Sequence, residues 1–365
     1  MRNIAIIPKT FKLILSILII LINITIINTN KKLRFSFELF RHGARSPIVL
    51  SNEKRDIFNN QWEEIGELTS VGKRQHFLLG HRNKKTFGEK RLNIEKFNSQ
   101  EIFIRSTVLN RTIESAYSHL TGFFPPGTGE VLTENQIKNA YPPFNNFNFS
   151  EEVKNLENFA LPQNSNVFPI DNILKTEKFS YVHDKDTCKG VKELYNNRDN
   201  FPEFLDFKKN FQEKYLAKIY KIINKTSDEY NLDEYDKCHD LYDAFICGYF
   251  DSRKFDEILN NEMTIKEFKS LADKFLYVDT FYGSVPGEKI GLIGKSHFLR
   301  SLLGKMKNRI KIDSINNFTN LYITSDQKIY MISGDGTDIR ALMFFMKHVF
   351  KTELIYPEFA TSLYF

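Results

Sequence analysis

Three short apolar segments of this chain each stop abruptly at a polar turn, and that repeated stop constrains the fold more than any other feature. Leu33–Phe40, Glu101–Thr107 and Lys328–Ser333 have the length and the aromatic and aliphatic content of buried strands. The first runs straight into Arg41-His42-Gly43, and the third ends in Gly334-Asp335-Gly336. Helix-like stretches follow the second and third, from about Val108 to Leu120 and from Ile339 to Phe350. Strand, polar loop and helix in that order predict an α/β fold, a central mixed or parallel sheet flanked by helices. In such sheets ligands bind beyond the carboxyl ends of the strands, so the polar residues at those ends are expected to share one site.

Residues 125–275 read differently. They are rich in Tyr, Phe, Lys and Glu, with helical runs at Phe207–Lys225 and Thr264–Phe275, and Pro125-Pro126 and Pro142-Pro143 punctuate their start. This stretch is expected to be a mostly helical cap inserted into the domain. The 365 residues, 41% of them hydrophobic, are enough for one core carrying such an insertion.

At the N-terminus, Arg2, Lys9 and Lys12 precede an apolar run from Leu13 to Ile27. A basic start followed by a short apolar stretch is a signal-peptide pattern. Residues 1–30 are therefore expected to be a signal peptide or signal anchor, and residues 31–365 the folded domain. The net charge is +6, and beyond those three cations the chain carries 48 basic against 45 acidic residues. So balanced a surface excludes a nucleic-acid partner. Membrane contact is expected only through an N-terminal anchor. The expected location is the secretory pathway, secreted or in the lysosomal or endomembrane lumen. Four sequons fit that route, at Asn110, Asn148, Asn224 and Asn317. In that compartment Cys188 is expected to pair with Cys238 or Cys247, leaving one thiol.

The sharpest chemical signal is Arg41-His42-Gly43-Ala44-Arg45-Ser46-Pro47. A histidine between two arginines at a strand end makes an anion site, because guanidinium forks match phosphate oxygens in pairs. A neutral imidazole nitrogen can attack phosphorus while the cations stabilise the equatorial oxygens. Gly43 would let the backbone approach a phosphate closely. His76 and His81 are expected to be surface or packing residues, His297 to lie near the start of an apolar helix, and His183, His239 and Asp240 form no ligand pattern.

These residues resemble the histidine acid phosphatases, the larger branch of the histidine phosphatase superfamily. The match continues in order along residues 33–365. Gly66 to Gln75 is similar to the family's GxLTxxGxxQ helix start, Arg105 to Ala116 to its RSTxxxRTxxSA segment, and Ile332 to Ile339 to its YSAHDTTI segment. Tyr356 to Ser362 looks like its PPYAS piece, after which an edge strand or hairpin is expected to be missing. The resemblance implies that His42 takes the phosphoryl group and that Arg41, Arg45 and Arg105 bind phosphate oxygens. No metal or cofactor is implied. Arg111 is expected to form a structural ion pair in its own helix.

One departure matters. Where the family has a His-Asp pair, this chain has Asp335-Gly336. Asp335 in its protonated form is the expected replacement donor to the leaving oxygen, with Asp338 a second candidate. The expected function is hydrolysis of small phosphomonoesters or phospholipids through His42. The alternative is a degenerate, secreted pseudophosphatase that binds phosphate or phospholipid without turnover.

Overall fold

A computed structural model of the chain describes residues 33–49, 62–143, 148–173, 189–197, 200–224, 235–251, 259, 261–271, 298–300, 302–307, 327–336, 338–340, 342–343, 346 and 358–364. All elements named below belong to the compact unit Phe35–Phe365.

Five strands form one mixed sheet: β1 (Ser36–Arg41), β2 (Ile102–Thr107), β3 (Asp171–Ile173), β4 (Ile329–Gly334) and β5 (Ser362–Tyr364), in the order β3-β2-β4-β1-β5. The three predicted strands are its centre, all parallel, and β5 adds an antiparallel edge to β1. Every residue of β1 and β4 is buried, as expected of parallel strands covered on both faces. The stretch expected to be cap also supplies β3, which pairs with β2.

The register places the site. Phe40 and Ser106 both stand opposite Ser333, so the carboxyl ends of β1, β2 and β4 finish at one level. On one face Phe37, Leu39, Tyr330 and Ile332 pack with Phe298, Leu302, Ile339 and Leu342. Burying each such side chain stabilises the fold by about 1.5–3 kcal/mol. Two helices accompany the central strands: α1 (Ser70–Asn83) between β1 and β2, and α2 (Asn110–Phe123) after β2. Within the expected cap run α3 (Pro202–Phe211), α4 (Ala217–Ile223) and α5 (Tyr235–Phe250). Their apolar faces share a second core with Ala44, Trp62 and Phe359.

Candidate active site

His42 lies one residue past β1 and its backbone is held on both sides. Its N–H donates to Gly334 O at 3.0 Å, and its carbonyl accepts from Ala360 N at 3.1 Å. The next residues bend onto α1. Thr69 caps that helix and donates from N to Ala44 O at 2.9 Å, while Gln75 Oε1 accepts from Ala44 N at 2.9 Å. Gly43 and Gly72 let the two backbones touch, since a methyl on Gly43 would come within 2.5 Å of Gly72 O. Gly43 N donates instead to Ser115 Oγ at 3.1 Å. The glycine expected to face phosphate thus serves this packing contact, and its N–H is already engaged.

The imidazole is 2% exposed, with Nδ1 2.8 Å from Gly43 O. A carbonyl only accepts, so Nδ1 carries the hydrogen and Nε2 presents a lone pair. Burial, then the charges of Arg41, Arg45 and Arg111, hold the His42 pKa well below its usual value. Asp335 Oδ1 lies 3.5 Å from Nε2.

Arg41 and Arg45 are buried on either side of His42. Phe359 is their common floor: the Arg41 guanidinium lies 4.3 Å and that of Arg45 5.9 Å from its ring centre, and the His42 ring 5.6 Å from it. Such cation–π contacts contribute about 0.5–2 kcal/mol. Arg45 also pairs with Asp243 of α5, at 2.8 and 2.9 Å. Burial works against its charge, and Asp243 outweighs that, holding the Arg45 pKa above its ordinary value.

Arg111 departs from expectation. Its Nη2 reaches across to Asp335 Oδ1 at 3.0 Å, so its ion pair spans from α2 to the loop after β4 rather than lying within the helix. A cation in the first turn of a helix opposes the macrodipole, and that mismatch was the available sequence signal. Arg105 directs Nε to Asp171 Oδ2 at 2.6 Å, on β3, in an ion pair without a well-aligned hydrogen. The arginine charges that bear most on His42 are those of Arg41, Arg45 and Arg111. Asp338 is buried, and its Oδ2 accepts from Asp335 N at 3.0 Å, which fixes the loop.

Gly336 lies under Arg41: a methyl there would sit 3.0 Å from Arg41 Nε. His76 is fully buried and lies with Nε2 2.9 Å from Arg41 O, whereas His81 is exposed. Cys247, one of the two partners expected for Cys188, is a free, buried thiol 3.3 Å from Arg45 Nη1. Cys188, His183, His297 and the side chains of Cys238 and His239 lie outside the described residues. Sequence reasoning missed Asp243 and Phe359. The signal for Asp243 was a single acid inside the apolar run Leu241 to Cys247.

A family model described as histidine phosphatase superfamily (branch 2) matches residues 32–352. Lysosomal acid phosphatase of Xenopus laevis is 32% identical over 125 residues, 34% of this chain and 28% of that protein. Prostatic acid phosphatase of Homo sapiens is 39% identical over 97 residues, 26% of this chain and 24% of that protein. These matches span about a quarter of each relative's length. Among solved structures, Hafnia alvei phytase in complex with tartrate superposes with a TM-score of 0.56 at 14% identity, over 91% of this chain and 80% of that one. The phytase from Citrobacter braakii gives 0.54 at 12%, over 86% and 75%. These last two are likenesses of fold.

Proposed function

Because the chain belongs to branch 2 of the histidine phosphatase superfamily, we propose that it hydrolyses phosphomonoesters through a phosphohistidine formed on His42. The observation that carries this reading is the 2.8 Å contact from Nδ1 to Gly43 O, which leaves the Nε2 lone pair as the nucleophile. In the first step Nε2 attacks phosphorus and the ester oxygen leaves with a proton. In the second, water attacks phosphorus and returns a proton to Asp335 as the P–N bond breaks, releasing phosphate and restoring the Nε2 lone pair.

Attack needs the reacting atoms about 3–3.5 Å apart. Asp335 Oδ1 already occupies that space, paired with Arg111. Substrate phosphate therefore displaces the carboxylate and takes over Arg111. Asp335 moves to the ester oxygen, where its protonated form donates to the leaving group. Arg41, Arg45 and Arg105 bind the phosphate oxygens, Arg105 exchanging Asp171 for phosphate.

The substrate class is a small phosphomonoester, with the cap choosing among esters, phospholipids included. We also assign the chain to the secretory route, secreted or lysosomal. Residues 1–30 would be the leader or anchor, and residues 31–365 the domain with its cap at 125–275. The basic-then-apolar start and relatives named lysosomal acid phosphatase support that route. Among the described residues no helix is long and apolar enough to cross a membrane.

A second reading rests on Gly336, whose side-chain space abuts Arg41 at 3.0 Å where the family's acid would stand. It makes the protein a pseudophosphatase that binds phosphate or phospholipid. Phosphate protection of a thermal melt without turnover selects it.

The pH profile of kcat/KM on an aryl phosphate, with His42→Ala as control, tests the first reading. A depressed His42 pKa keeps the nucleophile neutral in acid, so the acid limb should fall well below 6.5. His42→Ala should abolish turnover. Parental activity in that variant contradicts the proposal.

A further inference from the structure

Asp243 is a buried carboxylate in an otherwise apolar turn of α5. Its Oδ2 accepts from Arg45 Nη1 at 2.9 Å and its Oδ1 from Nη2 at 2.8 Å, the end-on fork of the guanidinium. Oδ2 also accepts from Ile48 N at 3.0 Å, which fixes the carboxylate in turn. Nη1 has further partners in Ser46 O at 2.9 Å and Cys247 Sγ at 3.3 Å, one helical turn beyond Asp243. Nη1 is thus committed within the protein. Arg45 Nε, by contrast, is buried with no hydrogen-bond partner among the described residues.

A guanidinium is planar, and its donors have a fixed geometry. When a carboxylate grips the end-on pair, the side edge made by Nε and the second Nη2 hydrogen is left to receive two oxygens of a phosphate. A buried donor without a partner costs about 1–3 kcal/mol, so its persistence points to a ligand that satisfies it. Arg45 also bears on His42 electrostatically and shares the Phe359 ring with it, so that ligand would lie at the nucleophile.

We propose that Asp243 is a positioning residue that holds Arg45 with its Nε edge toward the phosphate carried by His42. The proposal rests on the phosphohistidine reading above. It makes α5 part of the phosphate-binding apparatus, although no atom of Asp243 touches the substrate. A movement of α5 would then alter phosphate affinity directly.

The test compares the full-length parent with Asp243→Asn, Asp243→Glu, Arg45→Gln and the Arg45→Gln/Asp243→Asn double variant. The readouts are KM and kcat for an aryl phosphate, and the affinity for inorganic phosphate from competitive inhibition and thermal protection. Misplacing a binding group by about 1 Å costs up to about 100-fold. Asp243→Asn should therefore raise KM and weaken phosphate by about 10- to 100-fold, with a smaller change in kcat. In the Arg45→Gln background the same change should add almost nothing, because Asp243 acts through Arg45. Asp243→Glu keeps the charge but shifts it by one methylene. It should lie between parent and Asp243→Asn, and it carries the test if Asp243→Asn does not fold. Unchanged or tighter phosphate binding in a folded Asp243 variant overturns the proposal, since Asp243 would then be a bystander or a competitor for Arg45. Additive losses in the double variant overturn it as well. If His42→Ala is inactive while Asp243→Asn matches the parent, only this inference fails. If His42→Ala keeps parental turnover, the phosphohistidine reading fails first.

Discussion

The imidazole of His42 is buried among cations, and both circumstances favour its neutral form. On the proposed reading the same cations hold the phosphate, so one cluster would both prepare the nucleophile and bind its target. On the same reading turnover depends on Asp335, which is tied to Arg111 at 3.0 Å while facing Nε2 at 3.5 Å. Replacing Asp335→His together with Gly336→Asp removes the carboxylate from that space and supplies a separate acid. Arg41 must yield a few tenths of an ångström to admit the second change. A well-placed general acid is typically worth 10²–10⁴-fold, and here it no longer has to leave the phosphate's own space, so turnover of an aryl phosphate should rise by about 10²-fold or more. A folded double variant with no gain means that the loop after β4 is not where the acid works.

At the scale of elements, the site is the contact between the loop after β1 and the start of α1. Gly72 is its tightest point, because an added methyl would meet the Ala44 carbonyl. Gly72→Ala should destabilise the protein by about 1–3 kcal/mol in denaturant melts and weaken phosphate protection at the same time. Parental stability would show that this contact is slack. The three central strands were legible because their apolar runs end in polar turns, and β1, β2 and β4 begin within three residues of expectation. The helix expected at Phe207–Lys225 divides at the π-helical turn Gln212–Leu216, which helical periodicity does not reveal. Strand β3 was not legible, because three residues with two exposed carry no alternation to read. Among site residues, those next to His42 in sequence were readable. Asp243 is 198 residues from its partner Arg45, and only the fold brings the two together.

Over the whole molecule, a buried polar knot ties β1, α1, α2 and β5 together beneath the site. Asn83 Nδ2 donates to both oxygens of Glu38 at 3.0 and 3.1 Å, and Tyr364 Oη donates to Asn83 Oδ1 at 2.9 Å. His119 Nε2 lies 3.5 Å from Glu38 Oε2. Burial raises the Glu38 pKa to about 7 and pushes His119 well below its usual value, so both favour their uncharged forms in mild acid. A carboxyl whose folded pKa is raised stabilises the fold below its unfolded value of 4.5, and that contribution is lost as pH rises through about 7. The buried histidines run the other way. His76, lowered to about 4, stabilises above 6.5 and gives that up as pH falls. Glu38→Gln removes only the first effect. Its unfolding free energy relative to the parent should therefore increase by about 3 kcal/mol between pH 4.5 and 8, at about 1.36 kcal/mol per pKa unit. A pH-independent difference would show that Glu38 titrates normally.

All of this turns on one covalent bond between His42 Nε2 and phosphorus. Rapid quenching of the full-length protein with a ³²P-labelled aryl phosphate measures it directly. The account predicts a labelled protein whose label is lost in acid, survives in base and is absent from His42→Ala. Turnover of the substrate with no labelled intermediate, or equal labelling of His42→Ala, would contradict it.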